Sequence, residues 1–533
     1  MVRFLHNHLD LLMVVLYFVV IFIIGIYKSA DQKKDATNYF LSGRKLRWPS
    51  IAMSTIATNI QAGHFVGMGG AAYAYGLAQA NFEIGAIFGI LLAAFFFVPL
   101  YLKLKVFTLT QFFEDRFGPF LATCYSVFSI ILFGVIYLGG ALYWGSFAIN
   151  GIFGDQLSIL HPDPIIRLYI LVVLMGVFSA VYVYFGGLAA VVRTDVIQMI
   201  TLLGGSTIIL VLAIKALGGV SELYNPDLYD SIETGKDHLM HLFLSSDHPK
   251  IPWTAVFFGM LLMHIQYWGA NQVILQRALA ARSLRDAQLG LVVGGFLKYF
   301  VAALIIIPPI ALVGFHERLE DPDQAYIVLV NTLLAPGVRG FVLMGLFASL
   351  MSTVDSIINS VSTLYAFDIY KRRINKDATD KQLIRIGKNT IGVSTLVGIL
   401  FAFSLIYIKY NGLDFPLSHL TNEISYHIKA GFTILILAAV FCTRAPRNLV
   451  ATVFVASVVV SLAFKYFIFP DMNYLNRTGW VIVLCYGIIA GISYFSPGQK
   501  IKWIELIIVD SRTVGYFGII LGVILIGLNI ILR

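Results

Sequence analysis

The sequence predicts an all-helical integral membrane protein with roughly fourteen transmembrane helices. The chain is 58% hydrophobic and 13% charged, and its mean hydropathy is +0.82. Its apolar runs of about 20 residues match the ~30 Å hydrocarbon core of a bilayer, and runs of that length form helices rather than barrel strands. Two of the runs also carry glycine, amide, histidine and hydroxyl side chains at membrane depth. These observations exclude a water-soluble globule.

The apolar runs define the predicted spans. The run from Leu11 to Ile26 has no small-residue cleavage site and continues into a polar segment, so we interpret it as a span rather than a signal peptide. The spans are centred near residues 18, 62, 92, 135, 176, 204, 264, 300, 350, 397, 435, 458, 487 and 523.

The distribution of charge predicts the orientation of the spans. Basic residues lie in odd-numbered connections: Lys28, Lys33, Lys34, Arg44, Lys45 and Arg47 in the first, Arg277, Arg282 and Arg285 in the seventh, and Lys371, Arg372, Arg373, Lys376, Lys381 and Arg385 in the ninth. Acidic residues lie in long even-numbered connections: Asp227, Asp230, Glu233 and Asp237 in the sixth, and Glu317, Glu320, Asp321 and Asp323 in the eighth. The positive-inside rule therefore predicts cytoplasmic odd connections and extracytoplasmic termini, in a plasma membrane or a bacterial inner membrane. Because the net charge of +9 follows this topology, we expect a lipid bilayer and no nucleic acid as partner.

The connections and the cysteines argue against an aqueous catalytic domain. The longest polar stretch, about Gly218 to Pro252, is too short to bury a core of its own. Cys124, Cys442 and Cys485 lie in or beside apolar runs without metal-ligand spacing, so we assign them a packing role.

Two spans depart from simple apolar character in the same way. The second span (51–74) contains STIATNIQAGHFVGMGG, and the seventh (253–275) reads WTAVFFGMLLMHIQYWGANQVIL. They lie five spans apart, which is typical of two inverted five-span repeats that each begin with an interrupted helix. We predict the first interruption between Ala57 and Ile60. The alternative is a pair of ordinary helices with small residues at their contacts.

The ninth span carries a row of hydroxyl groups. Ser349, Ser352, Thr353 and Ser356 recur at i, i+3, i+4 and i+7, so their oxygens share one helix face. Together with carbonyls freed by a helix interruption, they could supply the oxygen ligands of a sodium ion. Alternatively, each hydroxyl bonds a carbonyl of its own helix.

Four ionisable residues lie within spans, where each is by default a functional hypothesis. Glu83 and Lys298 could face one cavity and pair with each other or bind hydroxyl groups. Alternatively, Glu83 reaches the outer interface and Lys298 snorkels toward it. Asp195 could instead pair with Arg193 or cap a helix, and Asp355 could face a polar crevice.

Five segments carry a family resemblance: NYFLSGRKLRW, STIATNIQAGHFVGMGGAAYAYGLA, YFGGLAAVVRTDVIQ, QYWGANQVILQRALAARSLRDAQLG and LMSTVDSIINSVSTLYAFDIYKR. They lie between about residues 38 and 445 and closely resemble the sodium/solute symporter family, in particular its sodium/glucose and sodium/galactose branch. The resemblance implies a LeuT-like core of two inverted five-helix repeats. It divides the chain into an extra helix and cytoplasmic linker (1–50), the first repeat (51–216), an extracellular loop (217–252), the second repeat (253–443) and three C-terminal helices (444–533).

The resemblance also implies where sodium binds. The ligands would be the carbonyls of Ala57, Ile60 and Ser349 and the hydroxyls of Ser352 and Thr353. In some relatives a second sodium binds near the corresponding aspartate, which here points to Asp195, Ser352 and Ser356. Asp355 stands in this row where relatives carry a small or hydroxyl residue, so one and two sodium ions both remain open.

For the solute, the resemblance implies a sugar pocket. Glu83, Lys298 and Asn422 would hold sugar hydroxyls, Tyr267 would be the inner aromatic gate with Trp268 beside it, and Met68 and Phe82 would form an outer lid. Four positions differ from the family pattern while keeping or reshaping a polar pocket: His64, His264, Tyr137 and Ala86. A hexose is therefore expected, and galactose specifically is not assured.

We accordingly expect a sodium-coupled symporter that imports a monosaccharide by alternating access, with no enzymatic activity. A polyol, an acidic sugar, an amino acid or a monocarboxylate is the alternative solute. A sensor should carry a cytoplasmic signalling domain, whereas this chain is expected to end outside soon after its last span. An intramembrane hydrolase would need a nucleophile and base at helical spacing, and neither His64 nor His264 has such a partner. The oligomeric state is not predicted.

Overall fold

The structure is a computed structural model that describes residues 2–26, 35–106, 108–154, 156–228, 238–411, 417–442, 444–496 and 508–533. Within these ranges the chain is almost entirely helical, and the β pairings are the isolated bridges Leu46–Ala281 and Leu244–Pro252. The predicted all-α class is therefore confirmed. Of the charged residues used to predict topology, Lys28, Lys33, Lys34, Asp230, Glu233 and Asp237 lie outside the described residues.

Seventeen helical segments are used below and are numbered in chain order. They are α1 Val2–Ile26, α2 Ala36–Leu41, α3 Trp48–Asn59, α4 His64–Lys103, α5 Leu109–Phe117, α6 Pro119–Ile152, α7 Pro164–Leu217, α8 (the continuous run Trp253–Ala255, Val256–Met260 and Leu261–Gly269), α9 Gln272–Leu279, α10 Leu284–Phe315, α11 Ala325–Leu333, α12 Val338–Ile374, α13 Asp380–Tyr410, α14 Leu417–Phe441, α15 Arg447–Ile468, α16 Tyr474–Phe495 and α17 Arg512–Ile531.

Ten helices in the described part of the chain are long and apolar enough to cross a membrane. This number is lower than the predicted fourteen because some spans are shorter or joined. The 54-residue α7 contains two predicted span centres, and α3, α8 and the apolar part of α1, Leu12–Gly25, are too short to count individually. Each predicted centre lies in a described helix or at a junction between helices, and the total of fourteen stays a prediction.

A sharp bend in α7 separates its two halves. Gly187 has φ +55° and ψ −153°, a backbone conformation that residues other than glycine rarely adopt. Its Cα also lies against α2, since a Cβ added there would be 2.4 Å from the Tyr39 carbonyl oxygen. The glycine therefore lets the chain turn and lets α2 pack closely at the turn.

The core of the bundle is α12. Of its most apolar 18-residue window, 89% is buried, compared with 17% for α17. It packs against both halves of α7, against α1 and against α3. The hydroxyl-bearing helix is therefore inside the protein, whereas α17 presents most of its surface outward.

Both predicted helix interruptions are present. Helix α3 ends at Asn59, and Ile60 has extended backbone angles of φ −94° and ψ 121°. The helical run α8 ends at Gly269, and Asn271 has φ −107° and ψ 109° before α9 begins. The Asn271 side chain accepts the Val273 N–H and so caps α9. The two segments that combined apolar and polar residues are thus broken helices, and ordinary continuous helices are excluded.

Candidate functional site

The first interruption leaves backbone oxygens facing the hydroxyl row of α12. In a continuous helix the Gln61 N–H would bond the Ala57 carbonyl, but it instead donates to His64 Nδ1 at 3.1 Å. On α12, Thr353 Oγ1 lies 3.3 Å from the Thr58 carbonyl oxygen and 3.2 Å from that of Ile60. Three oxygens from two distant segments thus converge at the break, the type of site where unwound transporter helices bind sodium.

The predicted sodium ligands divide into two groups. Thr353 and the Ile60 carbonyl lie together, and the Ala57 carbonyl loses its usual helical donor, the Gln61 N–H. The Ser349 hydroxyl donates to the Leu346 carbonyl of its own helix at 2.8 Å. The predicted sodium ligand at this position is the Ser349 carbonyl, and it stays a prediction. The Ser352 hydroxyl donates to a carboxylate on α7. The Thr58 carbonyl was not predicted, because a main-chain oxygen has no signature in the sequence.

That carboxylate is Asp195, and it is the centre of a buried polar cluster. Ser352 and Ser54 both donate to it at 2.5 Å. The guanidinium of Arg277 lies 3.6 Å away, and both charged side chains are fully buried. The cluster joins α3, α7, α9 and α12, so it ties the interrupted helix to the core.

The position of Arg277 contradicts two interpretations made from the sequence. It was counted among the cytoplasmic-loop charges, but it is fully buried on α9 and also donates to Ser54, to the Val273 carbonyl and to Ser356. The suggested pairing of Asp195 with Arg193 is also wrong, because Arg193 contacts the Gly25 carbonyl instead. The positive-inside pattern had no means of distinguishing a loop arginine from one folded back into the bundle.

Asp195 and Asp355, the two acidic residues considered for a second sodium, have different hydrogen-bond partners. Ser356 joins the Asp195 cluster through Arg277 and shares a 2.9 Å hydrogen bond with Thr58. Asp355 instead accepts a hydrogen bond from Tyr182. A second sodium at Asp195 stays a prediction, and the guanidinium beside that carboxylate opposes it electrostatically.

A cavity of about 350 Å³ lies next to the interrupted helix. This volume is within the usual range for small-molecule sites. All ten predicted solute-contact residues line it: His64, Met68, Phe82, Glu83, Tyr137, His264, Tyr267, Trp268, Lys298 and Asn422. Asn59, Gln61 and Thr353 line it as well, so the cavity and the convergent oxygens share one segment.

Glu83 and Lys298 form a buried ion pair inside this cavity. Their side chains are 3% and 1% exposed, which excludes both a carboxylate at the outer interface and a snorkelling amine. The Lys298 ammonium also donates to the Asn59 side-chain oxygen, and the Asn59 amide donates to the Tyr267 hydroxyl at 2.8 Å. The last residue of α3 therefore connects the ion pair to the predicted aromatic gate.

The two histidines lie on the walls of the cavity near this pair. His64 Nε2 is 3.6 Å from Glu83 Oε1, and its other ring nitrogen accepts the Gln61 N–H. His264 Nε2 is buried without a hydrogen-bond partner in the described part of the chain. Both histidines line the cavity, and neither lies beside a nucleophile in a described contact.

The aromatic residues form the remaining walls. Tyr267 and Trp268 meet edge to face, with ring centroids 5.6 Å apart, and Trp268 is almost fully buried. Met68 and Phe82 are partly buried, as expected of residues that could cover the cavity. Tyr137 lies beneath Lys429, whose Nζ is 5.0 Å from the ring centroid. Lys429 was not predicted, although the rule that an ionisable residue in an apolar run is functional applies to it equally.

The family model for the sodium:solute symporter family matches residues 39–449 of the chain. The chain belongs to the sodium:solute symporter family. This symporter is 32% identical to the sodium/glucose cotransporter of Vibrio parahaemolyticus over 425 residues, covering 74% of this chain and 75% of that one. It is 31% identical to mouse sodium/glucose cotransporter 4 over 468 residues, covering 83% of this chain and 66% of the relative.

Solved structures show the same fold. The symporter matches a substrate-bound, outward-open sodium-coupled sialic acid symporter with a TM-score of 0.78 and 21% identity, covering 92% of this chain and 99% of the other. It matches a nucleobase-cation-symport-1 family transporter with a TM-score of 0.52 and 14% identity, covering 90% and 97%. The LeuT-like fold is thus confirmed. The symporter is a multi-pass membrane transporter rather than an enzyme.

Proposed function

We propose that this symporter imports a monosaccharide of the glucose or galactose type, driven by sodium and working by alternating access. The observation that carries the proposal is the dual role of the α3 interruption. On one side, the Thr58 and Ile60 carbonyls meet Thr353, and on the other, Asn59 joins Lys298 and Tyr267 in the cavity. Sodium and solute would therefore act on the same short segment. The names of the similar cotransporters support a sugar as the solute.

Each group has a definite part in this mechanism. A sodium ion held by the freed carbonyls and by Thr353 would fix α3 against α12. That fixes Asn59, which in turn orients the Lys298 ammonium and the Tyr267 ring toward the solute. The Glu83 carboxylate accepts and the Lys298 ammonium donates, so the pair suits hydroxyl groups, which do both.

The energy for uptake would come from the sodium gradient and the membrane potential. Each sodium ion that crosses 100 mV releases about 2.3 kcal/mol.

The domain boundaries stated above, with repeats at 51–216 and 253–443, belong to this proposal. The cytoplasmic odd-numbered connections and extracytoplasmic termini also belong to it.

Labelled glucose or galactose uptake into proteoliposomes tests the proposal. An inward sodium gradient should drive accumulation, and an equal potassium gradient should not. Thr353→Ala should raise the sodium concentration needed for half-maximal uptake about tenfold, since one of the few oxygen ligands is lost. Thr390→Ala is the matched control, because that hydroxyl bonds only the Ile386 carbonyl of its own helix. Uptake that ignores the sodium gradient would refute the proposal.

A further inference from the structure

A second buried lysine faces the solute cavity. Lys429 on α14 is 9% exposed and lines the cavity. Its ammonium group lies 5.0 Å from the ring centroid of Tyr137 and 4.6 Å from that of Tyr426. Among the described residues, no carboxylate lies within salt-bridge distance of it and no acceptor is hydrogen-bonded to it. The two rings offer their negative faces but leave the N–H donors without acceptors.

The other buried lysine and arginine side chains in the described part of the bundle have hydrogen-bond or charge partners. Arg167 donates to the Asn150 side-chain oxygen, and the rest have carboxylate partners. Lys298 pairs with Glu83, and Arg277 lies beside Asp195. Arg477 and Lys465 share a single carboxylate outside the cavity, at Glu423. Lys429 departs from this pattern at the place where a transported molecule would lie.

The formal charges of all the side chains that line the cavity cancel, but those within the helices do not. Within the helices, the pair of Glu83 and Lys298 is neutral, and Lys429 adds one positive charge. The remaining charged wall residues lie in the connections before α8 and α11: Lys250, Asp321 and Asp323. A charge at membrane depth is unfavourable unless it is paired, so a lone ammonium here indicates that its partner arrives from outside the protein.

We propose that Lys429 binds one carboxylate of the transported solute, so that the solute is a monosaccharide acid such as a uronate. This inference rests on the proposed function and narrows its solute. Glu83 would not repel such a solute, since Lys298 neutralises it. Hydroxyl groups would be read by the Glu83–Lys298 pair and the acid by Lys429. One free ammonium matches one carboxylate, whereas a doubly charged phosphate ester would leave a negative charge unpaired.

Sodium-driven uptake of glucuronate, galacturonate, glucose and galactose tests this inference. The uronates should be taken up in preference to the neutral sugars. Lys429→Gln should lower uronate uptake on the order of tenfold to a hundredfold, since hydrogen bonds to charged groups contribute that much. Lys429→Arg should restore much of the uronate uptake. Lys388→Gln is the matched control, since Lys388 also lies over an aromatic ring, 4.6 Å from the Tyr184 centroid, but does not line the cavity.

The outcomes separate this inference from the function beneath it. Sodium-driven uptake of neutral sugars alone, or uronate uptake unchanged in Lys429→Gln, overturns the inference and leaves the proposed function intact. If sodium drives uptake of none of the four sugars, the proposed function fails. Thermal stabilisation of the purified protein by glucuronate in sodium then decides the role of Lys429 independently. Stabilisation lost in Lys429→Gln supports carboxylate binding, and absence of stabilisation in the unaltered protein overturns it.

Discussion

The buried pair of Asp195 and Arg277 should make two single substitutions harmful and their combination mild. Asp195→Asn leaves a fully buried guanidinium without its counter-charge, and Arg277→Met leaves a buried carboxylate. At the observed 3.6 Å, and with an effective dielectric constant of about 20, the Coulomb attraction is roughly 5 kcal/mol. Removing one partner of a buried pair typically costs about 3 to 5 kcal/mol.

The double variant Asp195→Asn with Arg277→Met should lose much less than the sum of the single losses. It leaves no uncompensated charge, and buried ion pairs are often replaced by uncharged groups at little cost. The expected coupling energy is about 3 kcal/mol, the upper end for residues in one polar network. Unfolding of the four proteins by titration with a denaturing detergent, followed by intrinsic fluorescence, measures it.

A second cycle on Arg282 and Asp286 provides the control. This pair is 2.6 Å apart at the start of α10, where Arg282 precedes the helix; the Asp286 side chain is 6% exposed, but the Arg282 side chain is 50% exposed. Its coupling should be under about 1 kcal/mol, as for other solvated pairs. If the Asp195 and Arg277 losses add within about 0.5 kcal/mol, the two side chains are not coupled. The assignment of that cluster as the link between α3 and the core would then be refuted.

Three further changes have defined outcomes. Glu83→Gln should lower the free energy of unfolding by about 3 kcal/mol and reduce sugar uptake, because Lys298 is left unpaired in the cavity; unchanged stability and uptake would contradict the pairing. Gly187→Ala should destabilise the protein by at least about 1 kcal/mol, because the backbone there has φ +55° and the new Cβ would meet a carbonyl oxygen. Gly392→Ala is the control in the same denaturation assay and should be harmless, because no atom lies within 4 Å of a Cβ added at Gly392. In the connection before α11, burial raises the pKa of Asp323 from 3.8 to about 6, so the folded state holds the extra proton and stability should fall as pH rises from about 4 to 6. Thermal midpoints across that range should lose this slope in Asp323→Asn, and an unchanged slope would assign it to other groups.

The sequence predicted the features that depend on local composition. Apolar runs of sufficient length predicted the helices, and polar residues within two of those runs predicted that both are interrupted. The structure shows the interruptions after Asn59, within the predicted Ala57–Ile60, and after Gly269, whose position was not predicted. The burial of Glu83 and Lys298 also followed from local evidence, because ionisable residues rarely occur in spans without a partner. These predictions needed no knowledge of which helices are neighbours.

The features that were missed depend on tertiary contacts. Arg277 lies near a loop in the sequence, and only its position against α7 shows that it neutralises Asp195. The number of long helices also differs from the number of predicted spans, because two spans join at Gly187 in α7. The separation of Asp355 from Ser356 could have been predicted, since consecutive residues point about 100° apart around a helix.

The central claim is that sodium and solute act on the same interrupted segment, and reciprocal binding tests it most directly. The dissociation constant of sodium should be measured on the purified protein with and without saturating solute, together with the converse measurement. The account predicts that each lowers the dissociation constant of the other by the same factor, about fivefold or more, and that Asn59→Ala reduces this factor. If sodium affinity is the same with and without a solute that demonstrably binds, the two sites are independent and the account is wrong.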